Sequence, residues 1–462
     1  MAAHTMLPPL SPLSQYINTP TLTFFIMGVI ELEVAFDKPE TLNFLKHSFR
    51  PLNKRFSSAI VTDEKGVQRW KKVECPIEDH LVIPTFPPNL SPQEYEEHLE
   101  EYISDMYMTP LPESHSPWQV HLITYPTPNA AGSLVFKMHH SLGDGYSFMG
   151  ALFTLFRKAD DPSAPLKLPT MGSRLTEQIS SYTKLSNLAF RCYYTLTDFA
   201  KGILGMYLED DKHVLRSGAP KVEYKPVNIA SVTFSLDDIK AIKNKVEGTV
   251  NDVTTGVMAY ALQLYMKRVG QEPINPVTTA AIVMNMRMYR GFKNLEEMLK
   301  ANIWGNHFHF VSVPLPMTSD LDSVDPLDYV IGSKAEMKKK MNSLGAYFSS
   351  KFVSLLGSLR GTEAAAEYIH SNLRNTTFMV SNMCGPQEKA SLAGHTLKSF
   401  YFTVPGIPQS LVFSIVTYLG KLRLVAASEK GFIDSRVLNS CLKEAFQKIY
   451  VAATGENPLK IY

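Results

Sequence analysis

Residues 137–150 read KMHHSLGDGYSFMG. Two adjacent histidines, His139 and His140, close an apolar run, and Asp144 follows four residues after the second, flanked by Gly143 and Gly145. The run upstream, GSLVFKMHH (132–140), has the composition of a strand. The run downstream, GYSFMGALFTLFRK (145–158), has the spacing of a helix that is apolar nearly all round, hence buried. The SLGD between them is expected to be a tight loop in which Gly143 allows unusual backbone angles and Asp144 caps the helix or binds a cation. His140 then stands at a strand end, where a rigid scaffold presents side chains to a cleft. Three readings are open at this point: a general base that is neutral near pH 7, a metal ligand, or a polar residue of purely structural use.

Outward from the motif the chain alternates strand-like and helix-like runs. FFIMGVIELEVAF (24–36) reads as a strand and KPETLNFLKHSFRPL (38–52) as a helix. The second half repeats the plan loosely: SVTFSLDDIKAIKNKVEG (231–248) is a strand, an acidic turn and a helix, and VNDVTTGVMAYALQLYMKRV (250–269) is a helix that Asp252 is placed to cap. Strands follow at 277–286, 307–315, 376–382, 410–418 and 421–428, then a helix at 435–449. With 462 residues, 45% hydrophobic and 19% charged, the chain is globular and long enough for about two domains. The boundaries read as 1–173, a linker at 174–225, and 226–462.

Several function classes are disfavoured by what the sequence contains. A net charge of +2 gives no basic face for nucleic acid. Cys75, Cys192, Cys384 and Cys441 form no CxxC pair, which fits a reduced compartment. The opening MAAHTMLPPLSPLSQY lacks the basic head and apolar core of a signal peptide. The uncharged window 399–420 is broken by Pro405, Gly406 and Pro408, so it reads as two strands and a loop rather than a membrane span. There is no GxSxG elbow. A metal needs three or four ligands; His139, His140 and Asp144 could supply some, and His307 and His309 share a strand face, but no pattern joins the two groups, so no metal is expected.

His139 to Gly145 fits the HHxxxDG signature of coenzyme A-dependent acyltransferases of the chloramphenicol acetyltransferase fold, a signature that BAHD acyltransferases and peptide-synthetase condensation domains share. LSPLSQY (10–16), PLPESHSPWQVHLI (110–123), VNDV (250–253), NMR (285–287), GN (305–306) and SNMCGP (381–386) resemble, in order, segments of the wax ester synthase/diacylglycerol acyltransferase family in its plant branch. The DFGWG segment of the BAHD pattern is absent.

This resemblance implies an α/β fold of two chloramphenicol acetyltransferase-like domains, each a mixed sheet flanked by helices, with an active-site tunnel between them. It implies acyl-CoA as a substrate, no cofactor, and a fatty alcohol or diacylglycerol as acceptor; another hydroxyl acceptor, or a non-catalytic lipid-binding protein of the same fold, are the rival readings. His140 becomes the base and His139 its neighbour. Asp144 becomes structural, paired with Arg287, beside Gly145. Ser381 and Asn382 are either oxyanion donors or a turn at a strand end. Asn251 and Asn306 fall at family positions near the substrates, while Asp252 is as well explained as a helix cap. The lysines of KAEMKKKM (334–341) meet coenzyme A phosphates or simply solvent. Residues 184–206 make an amphipathic helix whose stripe, including Leu196, Phe199 and Ile203, packs on the core or lies in a membrane interface. Acceptors that partition into membranes imply a protein on the cytosolic face of the endoplasmic reticulum or, as the second choice, the plasma membrane.

Overall fold

The strand that ends at His139 is the best-buried element of the first half. All eight residues of Gly132–His139 are buried, because its neighbours cover both faces. Even Lys137 is inside, its Nζ donating to the carbonyls of Met106, at 2.6 Å, and Thr109 at the end of a long helix. Those are free carbonyls at the negative end of a helix dipole, which suits a cation. Burial pushes the Lys137 pKa down to about 8.

The computed structural model describes residues 6–166, 183–271, 277–287, 295–458 and 461. In these, the strands are β1 (Met6–Pro9), β2 (Phe25–Leu32), β3 (Ser58–Thr62), β4 (Gln68–Lys72), β5 (Leu81–Val82), β6 (Trp118–Ile123), β7 (Gly132–His139), β8 (Phe156–Lys158), β9 (Val227–Ser235), β10 (Thr279–Asn285), β11 (Phe308–Pro314), β12 (Phe378–Cys384), β13 (Ala390–Leu392), β14 (His395–Thr403), β15 (Leu411–Tyr418) and β16 (Lys421–Glu429). The α-helices are α1 (Pro12–Tyr16), α2 (Lys38–Phe44), α3 (Pro92–Met108), α4 (Gly145–Leu155), α5 (Thr183–Leu204), α6 (Leu236–Lys245), α7 (Val250–Arg268), α8 (Leu295–Lys300), α9 (Pro326–Asn342), α10 (Gly345–Arg360), α11 (Thr362–Arg374) and α12 (Ser435–Thr454).

Two mixed sheets organise them. One runs β5-β6-β7-β2-β14-β13-β8, the other β11-β10-β12-β15-β16-β9, and a small β1-β4-β3 sheet stands apart. Antiparallel pairs dominate, with β5–β6, β10–β12 and β12–β15 parallel. The expected two-sheet α/β plan is present, but the halves are not separate in sequence. β13 and β14, from the second half, complete the first sheet, with β14 antiparallel to β2 and β13 antiparallel to β8. The division 1–173, 174–225, 226–462 does not anticipate this exchange; residues 390–403 belong to the first sheet, and part of the linker lies outside the described residues.

Most elements fall where their patterns place them. α4 is three residues shorter than expected, because Phe156–Lys158 leaves the helix to pair with β13. α7 is buried on every side from Asp252 to Met266, as the central helix of the second hydrophobic core. Its N-cap is Thr249; Asp252 closes a capping box with it, so the cap expected at Asp252 is shifted by one turn position. The window 399–420 is indeed two buried strands, β14 and β15, joined by a loop, and no helix among the described residues is long and apolar enough to cross a membrane.

Candidate active site

Between the two sheets lies a mostly apolar cavity of about 470 Å³, and His140 opens onto it. Its walls come from both halves of the chain: Phe24 and Ile26 of the β2 region and Phe308, Met379 and Ile407 of the second half. Such a cavity with a few convergent polar groups is the form of a small-molecule site.

The strand alternation separates the two histidines. His139 turns away from the cavity, against the edge of Phe25, and its Nδ1 accepts from the Ser141 backbone N–H and contacts the Ser141 hydroxyl. Burial, with a contribution from His140, drives its pKa down to about 3, so it is a neutral packing residue. His140 begins a 3₁₀ turn (140–142) and lies edge-on to Phe308, with its own backbone N–H on the Phe24 carbonyl. Its Nδ1 is 2.9 Å from Asn306 Oδ1. The Asn306 amide nitrogen donates at 2.8 Å to the His140 carbonyl and at 2.8 Å to Ser14 Oγ. A carbonyl can only accept, so the amide orientation is fixed and its oxygen faces the ring. Nδ1 therefore carries the proton, and Nε2 keeps a lone pair. Burial lowers the His140 pKa below the ordinary histidine value, against opposing contributions from Asp144 and Asn306; the imidazole is neutral at pH 7.

Behind the histidine turn sits a charged knot. Asp144 caps α4, accepting from Ser147 N–H and Oγ. Its carboxylate takes a two-pronged contact from Arg287, at 2.7 and 2.9 Å, and the His307 backbone N–H at 2.9 Å. Both side chains are nearly fully buried. Burial would raise the Asp144 pKa, but the Arg287 charge and these hydrogen bonds outweigh it and hold the carboxyl below its usual range. Arg287 also donates to the carbonyls of Ile303 and Gly305 and stacks on Tyr146. The expected Asp144–Arg287 pair is thus present, and with it a partner the motif did not reveal. Gly305 has φ 127°, which disfavours any side chain, and a Cβ there would lie 3.4 Å from Arg55 Nη1. Gly143, by contrast, is extended (φ 169°) rather than unusual; its use is room, since a Cβ would be 3.1 Å from the Ser147 Cβ and 3.4 Å from Trp304 Nε1. Gly145 lines the cavity and brings α4 against Met383 of β12.

The remaining candidates divide. Ser381, Asn382 and Asn251 all line the cavity, and Asn382 Nδ2 donates to Asn251 Oδ1 at 2.5 Å. Ser381 and Asn382 sit within β12, which runs on to Cys384, so the turn reading fails. Asn306, expected near the substrates, does not line the cavity; its amide is taken up by His140 and Ser14. Asp252 is a helix-cap residue that does not line it either. Of the lysines in 334–341, Lys340 lines the cavity and pairs with Asp198, whereas Lys334 binds the Val246 carbonyl and Lys339 pairs with Glu336, so they share no single task. Trp118 is core, its Nε1 on the Phe56 carbonyl. Among the described residues, His140, His307 and His309 take part in no grouping of three or more side chains with metal-ligand spacing. Among the described residues a grouping with metal-ligand spacing occurs at Cys75, Asp79 and His115, none of which lines the cavity. The helix at 184–206 is α5: Phe199 packs on α10, while Leu196 faces outward; the side chains of residues 181–189 lie outside the described set.

This architecture has solved counterparts. A wax ester synthase/diacylglycerol acyltransferase from Marinobacter aquaeolei VT8 superposes with a TM-score of 0.62 at 14% identity, covering 96% of this chain and 100% of that one. The first condensation domain of the calcium-dependent antibiotic synthetase gives 0.60 at 12% identity, covering 98% of each. These likenesses define the class: a two-domain fold of the chloramphenicol acetyltransferase kind. In sequence, wax ester synthase/diacylglycerol acyltransferase 4 of Arabidopsis thaliana is 29% identical across 98% of this chain and 92% of its own length, and number 11 of the same plant is 29% identical across 96% and 95%. The family's catalytic-domain model matches residues 89–254 and its WS/DGAT C-terminal domain model residues 304–450. The chain belongs to the wax ester synthase/diacylglycerol acyltransferase family, and it is an acyltransferase.

Proposed function

We propose that the enzyme moves a long-chain acyl group from acyl-CoA to a long-chain alcohol, giving a wax ester, and to diacylglycerol, giving triacylglycerol, with His140 as general base. The observation that carries this reading is the neutral, Asn306-oriented His140 on an apolar cavity. Nε2 takes the hydroxyl proton as the alcohol oxygen attacks the thioester carbonyl carbon. The tetrahedral oxyanion collapses, the C–S bond breaks, and the coenzyme A thiolate leaves with the proton that His140 returns. A positioned base is worth roughly 10²–10⁴-fold, and holding both substrates in one cavity supplies proximity without a covalent enzyme intermediate. Ser381 and Asn382, polar groups that line the same cavity, are the candidates for the oxyanion. Because the step is redox-neutral and base-driven, no cofactor is assigned; acyl-CoA is a substrate.

The purified protein, incubated with radiolabelled palmitoyl-CoA and either hexadecanol or diacylglycerol, should yield labelled wax ester and triacylglycerol on lipid separation. Label found only in other hydroxyl esters would replace the acceptor assignment and leave the acyltransferase. We also place the enzyme on the cytosolic face of the endoplasmic reticulum, because its acceptors partition into membranes; a fluorescent fusion seen in the cytosol, or at the plasma membrane, would displace that assignment.

A further inference from the structure

Helices α5 and α10 pack side by side near the cavity and leave their outer faces uncovered. Phe199 packs on Phe352 and on Phe348, which is itself 44% exposed. Along the rest of α5, Phe190, Tyr193, Leu196 and Leu204 are exposed, Leu196 by 68%. The spacing 193, 196, 200, 204 keeps them on one stripe about a third of the helix wide. On α10, Tyr347, Leu355 and Leu359 are exposed in the same manner, Leu359 by 75%, again at helical spacing. Single exposed apolar residues are ordinary; a run on two adjacent helices marks an interaction surface.

The charge of these helices says what kind. α5 carries Lys184, Arg191 and Lys201 against one acid, Asp198; α10 carries Lys351 and Arg360 and no acid. Asp198 is turned inward and paired with Lys340 of α9. Two helices thus hold a net four positive charges, in a chain whose total is +2. A second copy of the chain would bring two such faces together and meet like-charge repulsion. A bilayer with anionic head groups meets both features at once: acyl chains for the stripe, and phosphate and carboxylate groups for its basic residues, whose long stems reach past the apolar side chains.

Position gives the surface its use. Met337, Lys340 and Met341 of α9 line the cavity, and Met341 is itself exposed. The turn after α9 is tied to α5, Leu344 N–H donating to Thr195 Oγ1 at 2.9 Å. The cavity rim and the exposed faces therefore share one turn.

We propose that the paired outer faces of α5 and α10 dock on an anionic membrane surface and hold the Met341 rim of the cavity against it, so that the acceptor passes from the bilayer to His140. This rests on, and deepens, the membrane reading above. The test uses the full-length protein and its Leu196→Glu/Leu355→Glu variant, two exposed positions outside the cavity. Flotation is measured with vesicles of phosphatidylcholine alone and mixed with phosphatidylserine, alongside turnover of a water-soluble short-chain acyl-CoA and alcohol, thermal unfolding and oligomeric state. The wild type should float with the mixed vesicles and release in high salt. The variant should bind on the order of tenfold less, because each helix loses an apolar contact and gains one negative charge, with unfolding temperature and soluble turnover unchanged. Equal flotation of both proteins overturns the proposal, as does a wild type that floats with neither vesicle. A wild-type dimer that the variant makes monomeric reassigns the surface to a second copy. Unfolding of the variant, repeated in the milder Leu204→Gln/Leu359→Gln protein, reassigns it to the core. Absence of soluble turnover in the wild type counts against the acyl-transfer substrates, not against docking.

Discussion

The two walls of the cavity are held in different ways. On one wall, His140 is fixed from every side: Asn306 orients its ring, Arg55 and Trp304 both donate to the Leu142 carbonyl beneath it, and the Asp144–Arg287 pair anchors the following helix. These partners come from positions 55 to 306, so the His140 ring is located by the whole fold rather than by its own strand. On the other wall, Asn251 and Asn382 are exposed and bond mainly to each other, and among the described residues Ser381 has no side-chain hydrogen bond. The difference teaches where precision is built in. The group proposed for proton transfer is preorganised, whereas the polar side chains of the opposite wall have few partners to hold them. Substitutions on the first wall should therefore act abruptly, and those on the second by degrees.

The largest effect is expected at the base. His140→Ala should lower turnover by roughly 10²–10⁴-fold with little change in unfolding temperature, while His139→Ala, whose ring faces away from the cavity, should keep most of the activity. A radiolabel assay giving the reverse ranking would reassign the base. Next comes the knot. Removing one partner of a buried ion pair costs about 3–5 kcal/mol, because the other charge is stranded. Asp144→Ala should therefore lose stability on that order in denaturant unfolding, along with activity. A variant that lost turnover with unchanged stability would make Asp144 a direct participant instead.

The base wall was partly legible in the sequence. A strand, a four-residue loop and a helix around HHSLGDG could be read from local pattern, and family likeness supplied Arg287, 143 residues away, as the partner of Asp144. What local pattern cannot carry is which distant element answers which. Asn306 stands in the pair GN, yet its task depends on His140, 166 positions earlier, and on Ser14. β14 reads clearly as a strand, but an apolar strand does not say in which sheet it lies, and its pairing with β2 exchanges a piece between the halves. The stripe of α5 was legible as amphipathic; that it splits, with Phe199 inward and Leu196 outward, is decided by α10, a helix the pattern did not single out.

A smaller and more diagnostic effect is expected at Asn306, which positions the base without touching substrate. Wild-type activity should fall on the acid side with an apparent pKa below 6.5, since protonated His140 cannot accept a proton and burial depresses its pKa. The bond to Asn306 favours the charged ring and so opposes that depression. Asn306→Ala should move the acid limb to lower pH still, and should lower turnover by about 10–100-fold as the ring loses its fixed tautomer. A pH–rate profile with a lowered plateau but an unmoved acid limb would make the residue a structural link only.

The smallest effect is expected on the second wall. The Asn251–Asn382 hydrogen bond is exposed to solvent, so water can replace either partner, and a neutral hydrogen bond of this kind is worth about 0.5–1.5 kcal/mol net. That corresponds to roughly a twofold to tenfold change at 1.4 kcal/mol per factor of ten. Asn251→Ala should remove the bond and leave Asn382 where β12 holds it, in register with Ile415. If the pair merely shapes the cavity for the acyl chain, KM for long-chain acyl-CoA should rise while kcat holds. If Asn382 itself steadies the oxyanion, Asn382→Ala should lower kcat by far more than Asn251→Ala does, toward the 10²–10³-fold seen when an oxyanion donor is removed. A double-mutant cycle separates the two, because a shaping pair gives non-additive single effects of equal size, whereas a donor and its neighbour give unequal ones. An abrupt, kcat-only loss at Asn382 would show that this wall, too, is preorganised, and the contrast between the two walls would fall.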